Sequence, residues 1–314
     1  GETKINYVGL CHGVQTTLDL ISGYTGVPKA KIDFTCAGIN HMGWFTKLMH
    51  EGKDLYPILR EKFEQPEYYV NEKVRGEVFR QFGYFMTEST GHLSEYVPWF
   101  RKNRKALDLY CDEPMFGGAT GAYYQWSSVV VEKYRQQDML ADEPTKLPHR
   151  SAEYCSYIIE AMETGKIFKF NGNLRNDGMI SNLPADCCAE GPVYADRMGL
   201  HRTITGDLPP QCAALNMTNI SVQRLAVLAA KTGDPESVVH ACAMDPLTSA
   251  VLTLKETRDM VADLLEAERQ WLPQFERKTL KKTPIIHTTK DTKHADVPVD
   301  PALAILARFG ELAK

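Results

Sequence analysis

Two short apolar runs, each closed by a turn that carries a potential metal ligand, constrain this chain more than any other feature. Ile5 to Leu10 runs into Cys11-His12-Gly13, and Ile32 to Ala37 runs into Gly38 and then Asn40-His41-Met42-Gly43-Trp44. Short apolar runs bounded by turn residues predict strands. Val14 to Ile21 has apolar residues at helical spacing directly after Gly13, where the missing Cβ allows a sharp bend. Trp44 to Met49 alternates and predicts a further strand, with Gly43 at its bend. A strand, a helix and two strands in close succession point to an α/β fold. They also set one thiol and one imidazole at the ends of neighbouring strands.

The rest of the chain reads mainly as helix. Leu55 to Gly83 is mixed and helical with Pro57 and Pro66 as interruptions, and Val74, Val78, Phe79 and Phe82 make one face of a helix. Thr87 to Pro98 is polar, and Phe100 to Tyr110 predicts a short helix with a basic face. Leu147 to Thr164 carries an apolar stripe that ends at Gly165, a C-cap glycine. Lys166 to Asn171 alternates like a strand, and Asn182 to Val193 is a compact apolar-polar mix. Ser221 to Thr232 predicts a helix ending at Gly233, Pro235 opens another, and Thr253 with Glu256 fits a capping box at the head of the run to Trp271. From Thr283 an extended tail is expected, with a short helix over Ala302 to Phe309.

The 314 residues suffice for one large domain or two modest ones. A net charge of −4 gives no reason to expect nucleic acid or an anionic membrane as partner. The basic cluster Arg277 to Lys282 reads as a solvated surface. The eight cysteines include no CxxC pair and no four-cysteine zinc pattern, so most are expected to be buried thiols of a reducing, cytoplasmic protein. No apolar run reaches the roughly 18 residues of a membrane span. The chain opens at Gly1 rather than at a methionine, which suggests processing, a tag or truncation.

Three segments are equipped for chemistry. Thiolate and neutral imidazole are good ligands for borderline divalent ions, so Cys11 and His41 form a candidate metal pair; a core thiol and a structural histidine are the plainer alternatives. His12 adjoins Cys11 and has the near-neutral pKa of an acid or base. Tyr84, followed by Glu88, His92 and Glu95, is either a packing aromatic or a base, and as a base it needs a nearby cation. His92 and Glu95 fall three apart and could share a helical face. Asn171 to Gly178, ahead of Ile180-Ser181-Asn182-Leu183-Pro184, is rich in amides and glycines that make tight turns or bind sugar hydroxyls. Asp186 and Glu190 follow, but no spacing selects a pair of hydrolytic carboxylates. GxSxG, HExxH, P-loop and GxGxxG signatures are absent, and Gly117 to Gly121 lacks the strand a nucleotide loop needs.

Together these segments resemble glycoside hydrolase family 4, in particular its α-galactosidases of the melibiase type. The resemblance rests on Gly9-Leu10-Cys11-His12-Gly13, Gly38 to Trp44, Phe82 to Ser89 with His92, Ser94-Glu95-Tyr96, and the amide-rich segment ending Ile180 to Pro184. It extends to about Phe275, and the motifs are specific as a set while each is weak alone.

The resemblance implies an α/β fold like the C-terminal domain of lactate and malate dehydrogenases, with a mixed sheet and long helices. It implies NAD and Mn²⁺ as cofactors, and dimers or tetramers. The family oxidises the sugar at C3, removes the C2 proton with a tyrosine, eliminates the aglycone, adds water and reduces the ketone again. Carried onto this chain, Cys11 and His41 are the metal ligands, Tyr84 the base, and His12 the group assisting departure of the aglycone. Asn40, His92 and Asn176 are expected at the substrate, and no residue is assigned to NAD. His12 stands where phospho-sugar members carry aspartate, which favours an unphosphorylated α-galactoside.

The family's nucleotide-binding half is expected upstream of Gly1. Residues 1–30 then read as its last strand and helix, and 31–314 as the substrate- and metal-bearing domain. On that reading the chain alone binds NAD poorly and turns over little. A noncatalytic sugar-binding or oligomerising fragment, and a family 4 α-glucuronidase or α-galacturonidase, are the alternatives.

Overall fold

Asp33–Ile39 (β1) and Met42–His50 (β2) form an antiparallel hairpin, joined by the two-residue turn Asn40-His41. The end of that hairpin is possible because Gly38 has no side chain. A Cβ there would lie 2.4 Å from the Met42 carbonyl oxygen and 2.9 Å from Gly43 Cα, inside van der Waals contact. The structure is a computed structural model that describes residues 5, 7–113, 117–136, 150, 153–275, 279–298, 300–302 and 309–310.

The hairpin belongs to a six-stranded sheet. Lys53–Asp54 (β3) borders β2, Cys188–Asp196 (β5) borders β1, and Phe168–Arg175 (β4) lies beyond β5. Gly199–Arg202 (β6) also pairs with β5. Every ladder between these strands is antiparallel, and parallel pairing is confined to the isolated bridges Glu113–Gly118 and Ile180–Gly206. The expected α/β class, with an open sheet and long helices, is found; the sheet, expected to be mixed, is antiparallel in each of these ladders. The strand predicted over Ile5 to Leu10 reduces to one bridge, in which Gly9 exchanges both backbone hydrogen bonds with Asn173 at 2.9 Å.

Helices cover the sheet. Gly13–Thr25 (α1) follows Cys11, with Gly13 as its first helical residue rather than a free bend. Pro57 and Pro66 do not interrupt a helix. They open Tyr56–Phe63 (α2) and Pro66–Tyr69 (α3), where a missing N–H costs nothing. Lys73–Phe82 (α4) buries Val74, Val78 and Phe79 as its spacing predicts. Thr90–Tyr96 (α5) and Arg104–Tyr110 (α6) are short. Ala122–Gln136 (α7) buries none of its residues, although Tyr123, Trp126, Val130 and Tyr134 recur at helical spacing. Of the run predicted from Leu147, only Cys155–Thr164 (α8) is a helix among the described residues; it ends at the left-handed Gly165.

Pro210–Thr232 (α9) starts eleven residues before its predicted start at Ser221 and stops at Gly233. Pro235–Met244 (α10), Pro246–Val251 (α11) and Leu254–Ala267 (α12) follow. Both halves of the Thr253–Glu256 capping box are formed.

Two apolar clusters hold these layers. One gathers Trp44, Val78, Met86, Phe170, Val193 and Ile220 between the sheet and α4, α8 and α9. The other joins Val14, Leu18 and Ile21 of α1 to Phe45, Leu59, Phe63 and Phe85. Trp44 is wholly buried, and its indole N–H donates to Asn216 Oδ1 at 2.8 Å, while Asn216 Nδ2 donates to the Met42 carbonyl at 3.1 Å. That amide ties α9 to the hairpin beside the Asn40-His41 turn.

Residues up to Thr279 form one compact unit, and those from Leu280 a second. The second is extended, with one turn closed by Thr292 N–H donating to the Thr289 carbonyl at 3.1 Å. Most of the predicted Ala302 to Phe309 helix, and residues 277–278 of the basic cluster, lie outside the described residues. Among the described residues no helix is long and apolar enough to cross a membrane. The eight cysteines are all free thiols, of which Cys36, Cys111, Cys187 and Cys212 are buried.

Candidate functional site

Cys11 is fixed from its backbone. The Tyr154 hydroxyl accepts from the Cys11 N–H at 3.2 Å, and its one proton has two acceptors in reach, the Cys11 carbonyl at 2.8 Å and that of Asn171 at 3.1 Å. The Gly9–Asn173 bridge holds the chain two residues earlier, and α1 leaves immediately after. Gly13 N–H donates to Cys11 Sγ at 3.4 Å. The thiol thus sits at the head of α1, where the unpaired amides of a first turn favour negative charge.

The hairpin turn brings His41 to the thiol. Cys11 Sγ and His41 Nδ1 are 3.6 Å apart, although thirty residues separate them. Nδ1 of the same ring is 2.8 Å from Glu88 Oε2, and Glu88 Oε1 is 2.9 Å from His92 Nδ1 and accepts from the Ser89 N–H at 3.1 Å. The two imidazoles stack with centroids 5.7 Å apart. Tyr96 lies 6.2 Å from the His41 ring and Tyr123 5.7 Å from the His92 ring. The segment after α4 carries Glu88 there by running beside β2, with Phe45 N–H bonded to the Phe85 carbonyl and Thr87 N–H to the Gly43 carbonyl. His92 therefore pairs with Glu88 four residues back. Glu95 instead faces solvent near Arg101, 3.8 Å away.

Protonation follows from these contacts. Burial alone would raise the Cys11 thiol. Hydrogen bonds from His41, the Gly13 amide and Asn40, with the nearby His41 charge, outweigh it and hold the thiol below its ordinary value. Hydrogen bonds to Cys11 and Glu88 push His41 up to about 10 against the opposing effect of burial. Glu88 is penalised by burial, yet its two histidine partners hold it below the usual carboxylate range. In the metal-free cluster the His41 imidazolium, held up to about 10, lies between the Cys11 thiol and the Glu88 carboxylate, each of which is shifted toward its charged form.

This donor set fits half of a metal shell. Bonds of about 2.3 Å to sulfur and 2.1 Å to nitrogen, meeting at a tetrahedral angle, place the two donors about 3.6 Å apart. The Cys11 Sγ to His41 Nδ1 distance is 3.6 Å. Both groups are soft-to-borderline donors, and Glu88 at Nδ1 would have to yield that position to an ion. Among the described residues no group of three or more His, Cys, Asp and Glu side chains that could hold a metal ion is found.

Comparison with known proteins adds to this geometry. Residues 36–248 match the family 4 glycosyl hydrolase C-terminal domain. The chain belongs to this family. It is 37% identical over 279 residues to an alpha-galactosidase of Rhizobium meliloti (strain 1021), covering 87% of this chain and 57% of the relative. It is 38% identical over 281 residues to an alpha-galactosidase of Bacillus subtilis (strain 168), covering 87% of this chain and 63% of the relative. The chain therefore spans about 57 to 63% of the length of these two relatives. The crystal structure of a 6-phospho-beta glucosidase from Thermotoga maritima, solved with manganese, NAD+ and glucose-6-phosphate, shares the fold. It superposes with a TM-score of 0.61 at 18% identity, over 84% of this chain and 60% of that one.

Within this family 4 domain the other sequence-derived candidates lie at graded distances from the cluster. Asn40 is in the turn itself, next to His41, and its side chain lowers both Cys11 and Glu190. His12 is the N-cap of α1, largely exposed, with Nδ1 3.5 Å from Glu153 Oε1. Tyr84 is half-buried edge-on to Tyr56, with centroids 5.8 Å apart, and no hydrogen bond joins it to Cys11 or His41 among the described residues. Asn176 lies elsewhere. It is wholly buried, its amide donates to the carbonyls of Ile180, Leu183 and Pro184, and its oxygen accepts from the Ile180 N–H. Its N–H groups are spent on the loop, which leaves none for a sugar hydroxyl.

Three residues of the neighbourhood carry no sequence signal that selects them. Glu88 is one carboxylate among many until the hairpin places it at His41. Tyr154 is a lone aromatic ahead of α8. Glu190 lies in the middle of β5, 1% exposed, where a buried carboxylate is unusual. Burial pushes it up to about 7, against the lowering effects of the His41 charge and the Asn40 hydrogen bond and with a further rise from Glu88.

Proposed function

We propose that this chain is the sugar- and metal-binding part of a family 4 α-galactosidase. The observation that carries the reading is the 3.6 Å approach of Cys11 Sγ to His41 Nδ1. Support for a galactoside comes from the two α-galactosidases to which the chain is 37% and 38% identical. When bound, Mn²⁺ would supply Lewis acidity at the sugar hydroxyls and NAD an acceptor for hydride.

The chain's own groups then divide the remaining work. Cys11 and His41 offer the metal donors, and Glu88 takes up the Nδ1 proton that His41 must give up to become one. Tyr84 is the proposed base; Tyr96, whose ring is 6.2 Å from His41, is its rival. His12, exposed beside Cys11, is the proposed group that holds a proton for the departing aglycone oxygen. Asn40 and His92 are the proposed substrate contacts. The same reading makes residues 1–30 the end of a nucleotide-binding half, and the protein a cytoplasmic dimer or tetramer.

The test is hydrolysis by the full-length protein carrying this chain, with NAD, Mn²⁺ and a reductant. An aryl α-galactoside is expected to be cleaved at least about tenfold faster than the matching α-galacturonide, a modest discrimination for one recognised substituent. Equal rates, or the reverse order, would overturn the galactoside assignment. Tyr84→Phe is expected to lower kcat by about 100-fold or more at unchanged metal affinity. If Tyr96→Phe does so instead, the base is Tyr96. A second reading, a noncatalytic sugar-binding or oligomerising fragment, is favoured by the fraction of the relatives that the chain spans. It would be supported by galactoside binding that persists without metal in Cys11→Ala.

A further inference from the structure

Behind the segment that carries Glu88 to the two histidines lies a buried charge pair. Arg75 of α4 is 3% exposed, which is rare for an arginine. Its Nε lies 3.4 Å from Glu72 Oε2, its Nη1 lies 3.5 Å from Thr17 Oγ1, and its Cζ sits over the Phe85 ring, 5.5 Å from the centroid. The Glu72 side chain is itself only 12% exposed.

Each side of the pair reaches one flank of Glu88. Thr17 of α1 donates its hydroxyl proton to the Thr87 carbonyl at 2.7 Å. Thr87 in turn grips Gly43 of the hairpin: its N–H donates to the Gly43 carbonyl at 3.0 Å, and its hydroxyl accepts from the Gly43 N–H at 3.3 Å. On the other flank Thr90, the first residue of α5, donates its hydroxyl to Glu72 Oε2 at 3.2 Å. All three threonines are buried.

The chemistry of the pair sets the direction of these bonds. A guanidinium offers only N–H groups, so Thr17 turns a lone pair to Arg75 and keeps its proton for Thr87. An ionised carboxylate only accepts, so Thr90 must donate to Glu72. Apolar side chains at 72 and 75 would leave both hydroxyls free to rotate. The pair is loosely joined, since Arg75 Nε has no hydrogen-bond partner among the described residues. Packed apolar residues often serve stability as well as a buried ion pair, so stability alone does not account for this one.

We propose that Arg75 and Glu72 are positioning residues that hold residues 87–90 and so aim the Glu88 carboxylate at His41 and His92. The use of this for metal binding rests on the metal reading of Cys11 and His41; the positioning itself does not.

The test uses the full chain, metal-free, with hydrogen exchange followed by NMR at single amides. The Ser89 N–H, which donates to Glu88 Oε1 at 3.1 Å, reports on the segment, and the Thr257 N–H, bonded to the Thr253 carbonyl at 2.9 Å in α12, is the control. Arg75→Met combined with Glu72→Met fills the space without charge. Ser89 should then exchange at least about tenfold faster, as for a segment that has lost local order, with Thr257 at its original rate. Thr17→Val, which releases one flank only, should speed Ser89 by less. A merely structural pair would speed both amides alike; that result, or an unchanged Ser89, would overturn the proposal. Should the double variant not fold, Thr17→Val decides: faster exchange at Ser89 alone sustains the proposal, and unchanged exchange or equal acceleration at Thr257 overturns it.

A Co²⁺ titration followed by thiolate-to-metal absorption reads the consequence. The double variant should weaken binding by about tenfold, within the range for groups that orient ligands. Added to Glu88→Ala it should weaken binding no further, because both changes remove the same contact; additive losses would show that the pair does not act through Glu88. If the unaltered chain binds no Co²⁺, the metal reading fails while the exchange result still stands.

Discussion

The polar groups of the α9–α12 layer and those around the β1–β2 turn are used differently. In the helical layer a set of them ends helices or joins two. Asp234 accepts from the backbone of Glu236 and Ser237, Asp245 from Thr248, and Thr253 and Glu256 cap each other. Arg258 forks onto both carboxylate oxygens of Glu236 at 3.0 and 2.8 Å. Around the turn, by contrast, Nδ1 of His41 has two acceptors within reach, Glu88 serves two imidazoles, and buried Oε1 of Glu190 and Oδ1 of Asn173 have no donor among the described residues. Stability alone accounts for the first arrangement. The second buries charge at a cost, which points to function as the reason it is kept.

That contrast can be broken by substitution. The largest loss of stability is expected for Glu88→Ala, about 3 kcal/mol by chemical denaturation near neutral pH, because it leaves a half-buried imidazolium without its carboxylate. The pH dependence has a definite sign. Glu88 is held low, so its contribution is present above the ordinary carboxylate value and is lost in acid. His41 is raised to about 10, so its contribution is complete below the ordinary histidine value and is lost as pH climbs toward 10. The deficit of Glu88→Ala should therefore shrink at both extremes, and a deficit independent of pH would show that the cluster is ordinary packing.

Glu190→Gln is expected to act in the opposite direction. A carboxyl group whose folded value is raised from 4.5 to about 7 binds its proton more tightly when folded, so its contribution to stability falls as pH rises through that interval. Glutamine removes the penalty. The variant should gain about 2 kcal/mol at pH 8 and little at pH 4. A loss at pH 8 would place Glu190 with the satisfied groups of the helical layer. Smallest is Thr253→Ala, a lost cap worth about 1 kcal/mol, with no effect on metal binding. If it weakened metal binding, the two regions would not be separable.

The sequence reveals the hairpin and α1 because their signals are local. Glycines at 38 and 43, the apolar runs before them and the helical spacing after Gly13 all act within a few residues. The capping box at Thr253 and the stop at Gly165 are legible for the same reason. Proline was misleading at positions 57 and 66, since the same residue that breaks a helix interior also suits a first turn. Helix α7 carries Tyr123, Trp126, Val130 and Tyr134 at helical spacing, but nothing in that spacing says that the helix buries none of its residues. Cys11 and His41 stood out through their turns. Their partners Glu88, Tyr154 and Glu190 come from three distant segments, and nothing within those segments says that a sheet register and a loop beside β2 bring them together. Asn176 shows the converse: an amide in a sugar-like sequence context that folding spends entirely on its own loop.

The central claim is that Cys11 and His41 are a donor pair for a divalent ion. Its most direct test is a Co²⁺ titration of the metal-free chain and of Cys11→Ala, followed by optical absorption, with exposed Cys155→Ala as control. The unaltered chain and the control should develop a thiolate-to-metal band, and Cys11→Ala should lose that band with at least about 100-fold of its affinity, as expected when a direct ligand rather than a supporting group is removed. Binding of equal strength in Cys11→Ala, or a band that disappears only with Cys155, would contradict it.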